Sequence, residues 1–225
     1  MSLFKKRKKE VQEPELHLEL YSEEEMDVIE KKIQEIFGPY EEVFHEIYSP
    51  DIHCDVVVVP PTEDRDFYYL VTMGMGAHKM HVPEEMVRYG TERAELAIAV
   101  PKDWNIKSAE EKDYWPMRWL KTLARYPGDY DTWLGYGHTV SAGDPFDDST
   151  QMNGFILSGA KGRYGDADRI VAELPNGEVV NFYQIIPVYE EEMAFKLEKD
   201  ADALFAVFAE EGFPLVVNPN RKKLI

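Results

Sequence analysis

The side chains best suited to chemistry in this chain are four histidines and one aspartate, spread over three segments. They are His53, Asp55, His78, His81 and His138. Imidazole nitrogens and carboxylate oxygens ligate transition metals, and a metal held between them could activate water for hydrolysis. In an extended strand, His53 and Asp55 point to the same face. A metal-dependent hydrolase is therefore one hypothesis for this chain.

The spacing of these residues argues against a metal site. His78 and His81 follow the glycines of a predicted loop, where no helix aligns the two imidazole rings. No H-E-x-x-H motif accompanies them. The alternative for His53 and Asp55 is a partly buried polar pair that ties two strands together. We therefore expect neither a metal nor another cofactor.

The candidate nucleophiles lack a base or a suitable setting. Cys54 is the only cysteine, and its neighbour His53 points to the opposite face of a strand, so it cannot easily serve as a base. Ser141 and Ser158 lack a G-x-S-x-G motif. The carboxylates of 190–192 lie at a predicted helix start, where the helix dipole favours them. We expect a protein without enzymatic activity.

The stretch from Leu120 to Phe146 has the composition of a binding surface instead. Its glycines let a backbone pass close to a neighbour, while its aromatic rings offer flat apolar faces and its carboxylates accept hydrogen bonds. The candidate partner-binding residues in it are Asp131, Trp133, Tyr136, His138 and Asp144. A core role stays open for Trp133. For Tyr136 and His138 the alternative is a Tyr-Gly-His turn that holds the loop through hydrogen bonds.

Five segments of the chain, taken in order, resemble the suppressor of fused domain in its single-domain bacterial form. They are HCDVVVVPPTEDRDFYYLVTMGMGAHKM (53–80), ELAIAVPKDW (95–104), WPMRWLKTLARYP (115–127), DTWLGYGHTV (131–140) and FYQIIPVYEEEMAFKLEKDADAL (182–204). The similarity covers roughly residues 20–220. Five blocks in the right order make it far more specific than any single short motif.

The resemblance implies a mixed α/β fold and a protein-binding role, known best from two-domain animal proteins that sequester a transcription factor. Bacterial members of the family include proteins regarded as immunity proteins that neutralise toxins. The resemblance also implies that the second animal domain is missing here, so a cleft between two domains is not carried over. It strengthens the binding interpretation of the 131–140 segment as a whole, without identifying the contacting atoms.

The charge of the chain favours a protein partner over nucleic acid. The formal net charge is -18, although residues 5–9 are basic. Such an acidic body repels phosphates and attracts basic proteins, and it also maintains solubility. No apolar run approaches the roughly 20 residues of a membrane helix, and no apolar stretch follows the basic N-terminus as it would in a signal peptide.

We therefore expect a cytoplasmic protein that binds another protein, such as a basic toxin or an extended peptide, and that binds neither nucleic acid nor a membrane. The absence of a second cysteine excludes an intrachain disulfide and agrees with that compartment. The sequence leaves the oligomeric state open. A structural protein that associates with its own copies is the remaining alternative.

Periodicity and turn signals predict the elements that must position these residues. Helices are expected at 22–37, 116–126 and 190–211, where apolar side chains recur every three to four residues. Ser22 and Glu25 form a capping box for the first helix, and Pro127 is expected to end the second.

Strands are expected wherever β-branched and aromatic residues lie between turn signals. Their ranges are 43–48, 52–59, 67–73, 94–100, 131–140, 153–157, 169–174 and 215–217. Asn176-Gly177 predicts a hairpin between the 169–174 strand and Val179-Val180.

Together these elements predict an α/β domain of the α+β type, in which helices flank a mixed, largely antiparallel sheet. We expect one layered domain over residues 19–220. It lies between a disordered tail at 1–18 and a basic tail at 221–225.

Overall fold

The computed structural model describes residues 18–162 and 169–225, so the predicted disordered tail lies outside the described residues except for Leu18. Within these ranges the chain forms a mixed sheet of eight strands with helices on both faces, which confirms the predicted fold class. None of the helices in these ranges is both long and apolar enough to span a membrane.

The strands follow one another across the sheet in the order β1-β2-β3-β4-β8-β6-β5, and β7 also pairs with β8. The pairing of β4 with β8 is parallel, and the other pairings are antiparallel. The strands are β1 (Glu42–Phe44), β2 (Asp55–Val59), β3 (Phe67–Met73), β4 (Ala94–Pro101), β5 (Thr139–Ser141), β6 (Gly154–Gly159), β7 (Val171–Glu173) and β8 (Val179–Val188). Among the described residues, β1 and β5 are therefore the two ends of this order, and β7 is a further strand that pairs with one neighbour only.

The helices bury both faces of this sheet. Their bounds are α1 (Glu23–Phe37), α2 (Glu84–Val87), α3 (Glu111–Tyr130), α4 (Glu190–Glu198) and α5 (Ala201–Glu211). The capping box predicted at Ser22 is present, and α1 buries Ile29 and Ile33 on one face of the sheet. The other face carries α3, whose Leu120 and Leu123 are fully buried. The two C-terminal helices cover β6 and the end of β8.

The helix predicted at 116–126 is longer at both ends, and α3 contains Pro116 and Pro127. A proline inside a helix removes one backbone hydrogen bond and usually breaks or bends the helix. Here tertiary packing outweighs that cost, because Trp115 is fully buried and stacks on Phe146 with 4.5 Å between ring centroids. The predicted boundaries were wrong because this packing is not visible in local sequence.

The single helix predicted at 190–211 is two helices, α4 and α5. Lys199 has φ -101° and ψ -94°, which is not helical. The side chain of Asp200 then accepts a hydrogen bond from the Ala203 amide and begins a new helix. The break lets a second apolar face reach the sheet. Its buried side chains are Leu204, Phe205 and Phe208.

The predicted strands differ from the structure mainly near loops. The segments 43–48 and 52–59 shorten to β1 and β2, because side-chain hydrogen bonds hold residues 45–54 as a loop. The β7–β8 hairpin is confirmed, with Gly177 at φ +82° in its turn. The predicted edge strand at 215–217 is reduced to a single bridge between Val216 and Ala99, inside the sheet.

The basic residues at the C-terminus pack on the fold. Arg221 pairs with Glu192, which is completely buried, with 2.7 Å between Nη1 and Oε1. The backbone amide of Leu224 donates to the same carboxylate. The 221–225 segment, expected as a tail, is therefore tied to α4 by a buried ion pair.

Candidate functional site

The segment predicted as a strand at 131–140 is mostly a loop that ends in a tight turn. The amide of His138 donates to the carbonyl of Gly135 at 3.1 Å, and Gly137 at the third position of the turn has φ +77°. A positive φ at this position is the property of a type II turn, and it favours glycine. The Tyr-Gly-His turn proposed from sequence is therefore present, with Tyr136 at its corner.

The turn feeds into β5 through a β-bulge. The amide of Gly137 donates to the Leu157 carbonyl at 2.7 Å, and the Leu157 amide donates to the His138 carbonyl at 2.9 Å. Two residues of one strand thus face one residue of β6. Such a bulge re-aims the chain at a sheet edge.

The outer side of β5 is an open sheet edge. Val140 lies opposite Phe155 in the register of β5 and β6. The hydrogen bonds of the bulge come before Val140, and the hydrogen bond from the Ala142 amide to the segment just before β6 comes after it. Because backbone groups alternate along an antiparallel strand, the amides and carbonyls of Thr139 and Ser141 point away from β6. No further described strand lies beyond β5. This edge is a template for an added strand.

Trp133 and His138 pack against each other across the turn. Their ring centroids are 4.2 Å apart, with an interplanar angle of 67°. Gly135 makes this possible, since a Cβ atom there would lie 2.5 Å from the Trp133 ring. Burial lowers the pKa of His138, although a hydrogen bond to the Trp133 backbone opposes the shift. Burial thus favours the neutral form of the His138 ring.

Tyr136 joins the turn to α5. Its ring lies 5.3 Å from that of Phe205, and its hydroxyl is 3.5 Å from Asp202 Oδ1. Its backbone also forms a hydrogen bond with the hydroxyl of Tyr183, and burial raises the pKa of Tyr183 to about 12. Tyr136 therefore has a structural role, and its role in partner binding stays a prediction.

The two predicted acidic residues lie apart from this cluster. Asp131 ends α3 in a left-handed conformation with φ 48°, and its carboxylate accepts a hydrogen bond from His81 on the surface. Asp144 is exposed and follows Gly143, beyond the far end of β5. The structure thus brings Trp133, Tyr136 and His138 together, and it does not add Asp144 to them.

A cavity of about 320 Å³ opens beside the turn, and sequence reasoning did not find it. Trp133 and Tyr136 form part of its wall. The remaining wall comes from α2 and the loop after it, from the residues just before β7, and from β8. Met86, Tyr89 and Tyr183 are apolar or aromatic residues of this wall, and Ile170 and Phe182 line it although they pack with the core on the α1 face. The only signal was a methionine and a tyrosine in a segment expected to be a surface connection.

The histidines considered for a metal site do not converge. His53 Nε2 lies 3.1 Å from Asp55 Oδ1, and His45 Nδ1 lies 2.8 Å from Asp55 Oδ2. The other three histidines each have a different partner. His78 contacts Glu19, His81 contacts Asp131, and His138 contacts Trp133. Residues 18–162 and 169–225 contain no group of three ligands that could hold a metal ion. The His53–Asp55 contact is the polar pair that the sequence offered as the alternative.

Asp55 fastens a loop rather than a second strand. Its carboxylate also accepts a hydrogen bond from the Glu46 amide at 2.8 Å, which fixes the β1–β2 loop. Cys54 beside it is completely buried, and burial raises the pKa of its thiol. This position matches the expected small apolar residue and is unsuited to nucleophilic attack.

The fold and this edge define a mixed α/β domain with a preformed turn and an open strand beside it. The chain belongs to the suppressor of fused family: the sequence profile of suppressor of fused protein (SUFU) matches residues 50–222. That range includes the turn, the bulge and both sides of the cavity. The matched family confirms the resemblance carried by the five sequence segments.

Solved structures show the same fold. A protein of Neisseria gonorrhoeae FA 1090, described as a suppressor of fused homologue, matches with a TM-score of 0.62 and 18% identity, over 89% of this chain and 97% of that one. The Sufu-Fu complex structure matches with a TM-score of 0.62 and 14% identity, over 89% of this chain and 92% of that one. Drosophila Suppressor of Fused matches at 0.54 and 15%, over 88% of this chain and 50% of that one.

No curated protein matches the sequence significantly. Family membership supports a protein-interaction module.

Proposed function

We propose that this chain is a non-enzymatic module that binds another protein by pairing an extended segment of it with the outer edge of β5. The observation that carries the proposal is the pair of outward-facing residues Thr139 and Ser141, at a strand with no further described neighbour. In strand addition, backbone hydrogen bonds supply affinity and neighbouring side chains supply specificity. Trp133, Tyr136 and His138 lie directly before that edge and are suited to the second task.

The charge of the chain indicates the kind of partner. A net charge of -18 attracts basic proteins and speeds their encounter with the edge. Asp131 and Asp144 supply exposed carboxylates on either side of β5 in sequence. A basic extended segment therefore fits this edge better than an acidic one. The Sufu-Fu complex shows that a structural relative binds a protein, which supports the general class of partner.

The specific form of this proposal is an immunity protein of a bacterium that neutralises a basic toxin by covering it, in the cytoplasm. Steric and electrostatic blocking of the toxin would suffice, so no catalytic group is required. This form predicts that the chain restores growth to bacteria that express its toxin. If the toxin inhibits growth as strongly when the chain is present and bound to it, this form of the proposal is contradicted.

A selection experiment tests the binding function without a known partner. Random linear peptides are displayed and selected on the full chain, and fluorescence anisotropy then gives the Kd of each selected peptide. We expect peptides rich in Lys and Arg that bind more weakly at high salt, since charge screening shortens the range of attraction. Selection of no peptide, or of peptides that bind equally well after the β5 edge is blocked, would contradict the proposal.

A further inference from the structure

The cavity beside the turn has fixed walls on three sides. Trp133 is held by its contact with His138, and the hydroxyl of Tyr183 is hydrogen-bonded to the Tyr136 backbone. On the opposite side, the amide group of Asn181 donates to the carbonyls of Gly90 and Arg93. These bonds tie the loop after α2 to β8. A cavity whose walls are already ordered loses little entropy when a group enters it.

Arg169 completes this frame rather than filling the cavity. Its Nε donates to Asn181 Oδ1 at 2.8 Å, and its Nη2 donates to the Gly90 carbonyl at 2.9 Å. The guanidinium thus also holds the loop after α2 in place, from the side of β7. Most of the remaining wall is sulfur, aromatic ring or aliphatic carbon. The wall therefore selects an apolar group.

The cavity wall includes residues that come shortly before the proposed binding edge in the chain. Trp133 and Tyr136 line it, and Tyr136 lies three residues before Thr139, the first residue of β5. Gly159, at the end of β6, lines the same space. A peptide that follows β5 toward the turn therefore reaches the cavity with its next residues. At about 320 Å³ the cavity is at the small end of ligand sites, which suits one or two side chains.

We propose that this cavity receives one aromatic or large aliphatic side chain of the same peptide that pairs with β5. The inference rests on the strand-addition function proposed above and adds its specificity: a basic segment with an apolar anchor at one end. The side chains of Met86, Trp133 and Tyr183, which pack on the same face of the sheet, would contact the anchor. The backbone edge of β5 then supplies affinity for any extended segment. The cavity supplies specificity for segments that carry the apolar anchor.

The test uses peptides selected on the full wild-type chain. Those peptides should share an aromatic or large aliphatic residue at one position outside the paired segment. Replacing it with alanine should weaken binding about 10- to 100-fold, the effect of exposing a large apolar side chain. In a Met86→Trp variant, whose indole occupies the cavity, the same replacement should change the Kd less than about twofold. A Met86→Leu variant keeps the cavity open and serves as the matched control.

Circular dichroism and thermal unfolding first establish that both variants are folded. If peptides depend on the β5 edge but share no apolar position, or if the alanine effect is the same in Met86→Trp and wild type, the cavity proposal is overturned while strand addition stands. If binding does not depend on the β5 edge, both proposals are overturned.

Discussion

Replacing Ser141 with proline tests the role of the β5 edge with little disturbance of the fold. The Ser141 amide points away from β6, so proline removes no hydrogen bond of the sheet. The preceding residue, Val140, is already extended, as a residue before proline must be. Proline does remove the bond from the Gly143 amide to Ser141 Oγ. Ser141→Ala removes the same bond and keeps the outward amide, so it is the matched control.

The structure sets the size of the expected effect. An added strand would pair with the outward amides and carbonyls of Thr139 and Ser141. Proline deletes one donor and leaves a carbonyl of the peptide buried without a partner. The lost bond costs about 0.5–1.5 kcal/mol and the unpaired carbonyl about 1–3 kcal/mol, so a total of about 2–3 kcal/mol is reasonable. This is a rise of about 30- to 150-fold in Kd.

Fluorescence anisotropy with a selected peptide measures this change, and thermal unfolding checks the fold of each variant. We expect Ser141→Ala to bind within about twofold of wild type. A folded Ser141→Pro protein that binds like the alanine control would refute the assignment of this edge. A loss of binding in both variants would show that the serine side chain, and not the backbone edge, carries recognition.

Three further predictions concern stability, measured by urea unfolding. Gly137→Ala should lower the free energy of unfolding by about 1–3 kcal/mol more than Gly143→Ala does. Both glycines have a positive φ, but only a Cβ at Gly137 would meet a neighbour, at 2.8 Å. Equal losses in the two variants would contradict this prediction. Arg221→Ala should cost about 3–5 kcal/mol by leaving Glu192 buried and unpaired, whereas a similar loss in exposed Lys222→Ala would point to a general charge effect. Burial raises the pKa of Glu95, so the folded protein binds that proton more tightly than the unfolded chain. The contribution of Glu95 to the free energy of unfolding is therefore fully present below the pKa of the unfolded carboxyl, and it is lost as pH rises toward the raised folded pKa. Glu95→Gln should flatten the dependence of the free energy of unfolding on pH. An unchanged slope of that dependence would exclude Glu95 as its source.

The parts of the fold that local sequence predicts well are those whose signals are local. The capping box at Ser22 and the Asn176-Gly177 hairpin each depend on residues only a few positions apart, and both are present. The bounds of α3 were predicted wrongly for the opposite reason, because the stacking of Trp115 on Phe146 joins residues far apart in the chain. The break between α4 and α5 does have a local signal, since Asp200 caps the Ala203 amide, but apolar residues that recur at helical spacing across 190–211 predicted one helix.

The candidate site divides in the same way. The glycines around Tyr136 indicated a turn, and the turn exists because Gly137 can take a positive φ. The cavity could not be predicted, because Met86 and Tyr183 come to line the same space only after α2 and β8 are placed by the sheet. The histidine set could not be dismissed from sequence for the same reason. Only the fold shows that His53 and His78 contact different carboxylates.

Amide hydrogen exchange at Thr139 and Ser141, followed by NMR with and without a selected peptide, tests the central claim most directly. If a strand is added to β5, both outward amides become hydrogen-bonded, and their exchange should slow strongly in the complex. The inward amide of Val140 is already paired with β6 and serves as the internal reference. Unchanged exchange at Thr139 and Ser141 in a saturated complex would contradict strand addition at this edge.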